Sequence, residues 1–166
     1  ETAEVFTEDG WLRTGDLVQV RDGFIYMADR RKEMINASGF NVYPVEVEDV
    51  IRELAVVDET AVIGVADETT GEAVVAFVLL TAVAVAADRD VAEVEEELRQ
   101  HVGKDIGPIA KPKLVLVVPE LPKTRSGKIM RRLLKDVAEG RDPGDSTTLA
   151  DPTVMQRIVE TLAPKA

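Results

Sequence analysis

The chain is expected to form an α+β domain, with a short hairpin, a central and mostly antiparallel sheet, and flanking helices. Three observations carry that expectation. Short apolar segments come in pairs around glycine turns, as in Leu17–Val20 and Phe24–Met27 around Arg21-Asp22-Gly23. Apolar residues recur at helical spacing in Val47, Val50, Ile51, Leu54 and again in Val91, Val94, Leu98, Val102. Strand pairs and helices are interleaved without the regular strand–helix alternation of a long parallel sheet.

Taken in order, the Asp-Gly pair at 22–23 closes the first hairpin, because both positions tolerate positive φ. The charged stretch Asp29-Arg30-Arg31-Lys32 reads as a linker or hinge, and Met34–Asn36 with Phe40–Val42 form a second short hairpin around Ala37-Ser38-Gly39. Pro44 suits the first turn of a helix, where its missing N–H has no intrahelical partner to lose. Thr60–Val65 and Ala73–Leu80 read as strands joined by the polar turn Asp67–Glu72. The apolar runs Ala73–Leu80 and Thr81–Ala87 are broken too soon to span a bilayer and read as core segments. Asp90, with Glu93 three residues on, marks a helix N-terminus. Lys113–Val118 is a further strand, Leu121–Lys128 a loop, and Ile129, Leu133, Leu134, Val137 the apolar stripe of a short basic helix. From Gly140 onward, Gly, Pro, Asp, Ser and Thr predict a loose tail with a terminal helix near Val154–Leu162.

The net charge of −11 argues against general affinity for nucleic acid or anionic membranes. Against that acidic background, Leu121–Lys135 carries six Lys or Arg and no acid, a concentration that calls for a local anionic partner. The chain has no cysteine, which excludes disulfides, thiolate metal sites and a cysteine nucleophile, and fits a cytoplasmic location. No triad accompanies the single His101, which reads as structural or exposed, and acid pairs such as Glu46/Glu48 read as helix surface. No metal site is expected. The chain opens on Glu1 in what reads as mid-domain, so it is expected to be a piece of a longer protein.

Individual residues admit more than one reading. Asp16, in Thr14-Gly15-Asp16, is either a turn aspartate or an acceptor for a cis-diol. Arg30 is either part of a solvated charge run, as Arg31 and Glu33 are expected to be, or a planar cation for phosphate or diol recognition. Ser126-Gly127-Lys128 looks like the end of a phosphate-binding loop. That reading fails, because Pro122 stands where the first glycine is required and Ile129 replaces the required Ser or Thr.

Four segments in this order resemble the late motifs of the adenylate-forming superfamily, which includes acyl-CoA synthetases, luciferases and peptide-synthetase adenylation domains. They are Trp11-Leu12-Arg13-Thr14-Gly15-Asp16, Asp29–Ile35, Ser38–Pro44 with Glu46 and Glu48, and Pro122–Lys128. The resemblance spans about Gly10 to Lys135. It implies the small mobile C-terminal lid of an AMP-forming acyl-CoA synthetase, with residues 1–31 the tail end of the large N-terminal adenylation domain, 32–138 the lid and 139–166 the tail. It further implies Lys128 as the adenylation catalyst, Asp16 and Arg30 as nucleotide contacts, and Lys32 as the hinge. Ser38, Gly39 and Phe40 would face the pantetheine arm of CoA, with Lys104 standing in for an arginine that meets CoA phosphate. ATP with Mg²⁺ and CoA would be substrates of the full-length enzyme, none held tightly by this chain. The partners implied are the N-terminal domain, CoA, and a lysine acetyltransferase acting on Lys128. Residues 29–50 have the style of fatty acyl-CoA synthetases, which points to a fatty acid. Ile106–Lys128 and Asp145–Pro152 look like acetyl-CoA synthetases, so chain length stays open. A lid that serves a carrier protein, or a stand-alone docking module, are the competing expectations.

Overall fold

The computed structural model describes residues 5–144 and 146–162. Both short hairpins form for one local reason. Asp22 and Gly23 have φ of 52° and 80°, and Ser38 and Gly39 have 52° and 83°, the doubly positive two-residue turn that matches strand twist. Strands β1 (Asp16–Arg21) and β2 (Phe24–Arg30) make an antiparallel ribbon of their own. Strands β3 (Ile35–Ala37) and β4 (Phe40–Val42) form one edge of a five-stranded sheet.

Helix α1 (Pro44–Arg52) starts on Pro44 and leads into the long antiparallel pair β5 (Val57–Asp67) and β6 (Gly71–Leu80). The short α2 (Ala82–Ala86) and the longer α3 (Val91–Asp105) come next, and then β7 (Leu114–Val117), which pairs parallel to β6. The chain closes with α4 (Arg131–Ala138) and α5 (Thr153–Leu162). The sheet order is β4-β3-β6-β5, with β7 beside β6, so antiparallel pairing dominates as expected.

Both faces of this sheet are covered, which is why β5 and β6 read as continuous apolar runs rather than alternating ones. Val62, Val74, Ala76 and Val78 point to one face and pack with Val47 and Ile51 of α1 and Val94, Leu98 and Val102 of α3. Ala61, Ile63, Val75 and Phe77 point to the other and pack with Leu133 and Leu134 of α4 and Val154, Met155 and Ile158 of α5. Asp90 caps α3 by accepting from the N–H groups of Ala92 and Glu93, at 2.7 and 3.2 Å.

Two expectations need correction. The tail folds back: the predicted terminal helix forms and buries its apolar stripe, and Leu149 joins the same core. Gly and Pro at 140–144 end the preceding helix, yet residues 149–162 still dock on the sheet. Thr81–Ala87 is not a core segment; it forms the short α2, capped by Thr81, with Val83 80% and Val85 65% exposed and only Ala84 buried. No helix among the described residues is long and apolar enough to cross a membrane.

Candidate functional site

The β1–β2 register sets Asp16 opposite Arg30, and their carboxylate and guanidinium lie 3.7 Å apart. Arg30 lines an open cleft of about 520 Å³ with Thr14, Gly15, Arg31 and Lys32. An acceptor for a diol and a planar cation for phosphate thus stand side by side next to the expected hinge. The turn at Lys32 is short: Glu33 and Met34 both donate their N–H groups back to the Arg30 carbonyl.

Asp29, almost fully buried, spans this turn. Its Oδ1 accepts from the Arg30 N–H at 2.6 Å, and its Oδ2 accepts from the Val45 N–H at 3.3 Å. Val45 lies in the first turn of α1, whose own cap residue, Tyr43, makes no side-chain cap hydrogen bond. Asp29 therefore caps α1 from across the turn.

The second hairpin presents Ser38, Gly39 and Phe40 to solvent. Open space surrounds the missing Gly39 side chain, and Phe40 is 61% exposed. Phe40 also borders an apolar groove of about 230 Å³ with Val42, Val47 and the loop Ile106–Ala110. Lys104, exposed in the last turn of α3, precedes that loop by two residues. The turn, the groove and the lysine thus fall on neighbouring segments.

Lys128 lines neither cleft. It stands exposed on a tight loop, fixed where the Thr124 N–H donates to the Lys128 carbonyl at 2.9 Å and the Lys128 N–H donates to Thr124 Oγ1 at 3.1 Å. The anionic partners of the basic segment lie in the chain itself. Lys123 meets Glu59 at 2.5 Å, Arg131 meets Glu48 at 2.6 Å and Glu33 at 3.6 Å, Arg132 meets Asp136, and Lys135 meets Glu72. Among the described residues, that leaves Lys128 and Arg125 as the cations of the segment without an ion-pair partner.

Glu48 is more than the helix surface that the sequence suggests. It is 2% exposed, accepts the Val62 N–H of β5 at 2.8 Å, and receives Arg52 and Arg131. The signal lay in the spacing, since position 48 shares one helix face with the buried Pro44, Val47 and Ile51. Glu33 is likewise half-buried against Arg131 rather than a solvated charge. His101 hydrogen-bonds Glu53 at 3.1 Å, and with Asp105 these residues form a mostly exposed group of metal-ligand type whose donor atoms lie within 4.8 Å of one another.

Residues 46–128 match the family model described as the AMP-binding enzyme C-terminal domain. The acetyl-coenzyme A synthetase of Mycolicibacterium smegmatis is 49% identical over 154 residues, covering 92% of this chain and 16% of that protein. That of Streptomyces coelicolor is 52% identical over 145 residues, covering 87% and 22%. The chain thus spans about a fifth of the length of these curated relatives. Among solved structures, ATP-bound MatB from Rhodopseudomonas palustris superposes with a TM-score of 0.74 at 31% identity, covering 83% of this chain and 26% of that one. With half its length matched by the family model and a fold shared with adenylate-forming ligases, the chain belongs to the AMP-binding enzyme C-terminal domain family.

Proposed function

We propose that this chain is the lid of an AMP-forming acetyl-CoA synthetase, which uses ATP to convert a short carboxylic acid to acyl-AMP and passes the acyl group to CoA. The observation that carries the proposal is the one exposed lysine that, among the described residues, is left without an ion-pair partner in a basic segment whose other lysines are paired with acids. An ammonium on a rigid loop can enter a cleft and neutralise charge as the carboxylate attacks the α-phosphate of ATP. Lys128 takes that role, Asp16 and Arg30 hold ribose and phosphate, and Mg²⁺ arrives with the ATP. The exposed Ser38-Gly39 turn, with Phe40 and Lys104 nearby, forms the second working face, where a bare glycine lets the pantetheine arm pass against backbone. Residues 1–31 belong to the large N-terminal domain, and rotation at Lys32 presents one face and then the other.

The high identity to acetyl-CoA synthetases supports acetate over a fatty acid. A cytoplasmic setting fits, since both ATP and CoA are supplied there. Acetylation of Lys128 would abolish its charge and so switch off adenylation.

The test uses the full-length synthetase carrying this domain. ATP–pyrophosphate exchange is measured with a panel of acids, with and without Lys128→Ala. Acetate-dependent exchange should fall by about 10²- to 10³-fold in the variant, while transfer of preformed acetyl-AMP to CoA persists. Unchanged exchange would overturn the assignment and favour a docking module. Exchange without transfer to CoA would favour a carrier-protein acceptor.

A further inference from the structure

We infer that Lys123 and Arg131 are positioning residues that seat the Lys128 loop on the sheet by ion pairs to Glu59 and Glu48. The inference rests on the assignment of Lys128 to adenylation. Lys123 and Arg131 bracket the lysine, five residues before it and three after, and each is anchored on a different element. Lys123 reaches Glu59 on β5 at 2.5 Å. Arg131, the first residue of α4, reaches Glu48 on α1 at 2.6 Å. Between these anchors the loop is closed by a bridge from Lys123 to Ile129 and by the Met130 N–H donating to the Pro122 carbonyl at 2.8 Å. The backbone that carries Lys128 therefore has little freedom beyond what the anchors allow.

The placement of Arg131 needs an explanation that helix formation does not give. A cation in the first turn lies at the wrong end of the helix dipole, and α4 has no acid in its first turn and no side-chain cap. Glu48 supplies the missing negative charge. It is itself buried, and its Oε1 also accepts the Val62 N–H at 2.8 Å, so it marks a fixed point of the sheet edge. The same guanidinium lies 3.6 Å from Glu33, the residue after Lys32. Arg131 thus ties the base of the lysine loop both to the sheet and to the segment next to the hinge. Of the six cations, at least two serve as anchors and Lys128 as the working group.

A charge swap separates anchoring from direct contact with nucleotide. In the full-length synthetase, Lys123→Glu and Glu59→Lys should each lower kcat for acetate-dependent pyrophosphate exchange by about fivefold. The KM for ATP and the rate of transfer from preformed acetyl-AMP should stay within about twofold. The double variant, with the pair reversed, should recover most of the loss. Arg131→Lys keeps the charge but loses the planar fork, and should also slow exchange more than transfer. If the reversed pair is no better than Lys123→Glu alone, Lys123 acts on the nucleotide directly and the inference fails. Equal losses in exchange and transfer would also defeat it, since they indicate a merely structural role. Lys128→Ala is measured alongside: if it leaves exchange intact, the fault lies with the adenylation assignment itself.

Discussion

Asp67 illustrates how far a single side chain can depart from its ordinary chemistry. At the end of β5 it pairs with Lys113 and accepts from the Thr70 hydroxyl and from the Thr69 and Thr70 N–H groups. The Lys113 ammonium, followed by the Thr70 bonds, holds its carboxyl well below the usual carboxylate range. Because the folded value lies below the unfolded one, the stabilisation is full above about pH 4 and is lost as the pH falls through the folded value. Asp67→Asn should therefore flatten the acid limb of a Tm-against-pH curve below about pH 4. A curve that falls as steeply as the parent's would show that the site does not contribute. Lys113 is 61% exposed, so added salt should shrink the difference.

Elements differ in how they are held, and so in what sequence alone reveals. The hairpins, the Pro44 start and the Asp90 cap were legible because their causes are local: a positive-φ turn, a missing N–H, a side-chain acceptor. The docking of the tail helix and the exposure of α2 were not, because both depend on which surface of the sheet remains uncovered. Asp16, Arg30, Gly39 and Lys128 became candidates through the resemblance of the segments that hold them to the motifs of the adenylate-forming superfamily. The burial of Glu48 could be read from its helix face, but its partners Val62 and Arg131, 14 and 83 residues away, could not. The β1–β2 ribbon sits at the weak end of this range. Val20, Phe24, Ile25, Tyr26 and Met27 are each more than half exposed, and among the described residues the ribbon joins no larger sheet. Two strands alone are marginal in water. Hydrogen exchange on this chain should show ribbon amides exchanging well before those of β5 and β6, and docking of the N-terminal domain should slow them. Equal protection in the free chain would contradict the picture.

The five-stranded sheet is clad on both faces, and the candidate residues lie in turns, at the ends of strands and of one helix, or on the separate β1–β2 ribbon. The proposed CoA turn and lysine loop project from that sheet, whereas the proposed nucleotide pair sits on the β1–β2 ribbon before Lys32, so the proposed rotation at that turn would move the first two past the third as one body. Asp29 is the described side chain that sets a cost on that rotation. It precedes Lys32, whereas the Val45 N–H it caps comes after, so a large turn between them must break the bond. A helix cap is worth about 1 kcal/mol, or about fivefold in an equilibrium constant. Asp29→Ala should therefore shift the two half-reaction rates in opposite directions, which separate exchange and transfer assays on the full-length synthetase would show; a parallel fall in both would mean that Asp29 only supports folding. Under the proposed rotation, the balance between the two orientations would depend on the Asp29 carboxylate, and a change at that position would retune the time shared between them without altering either proposed face.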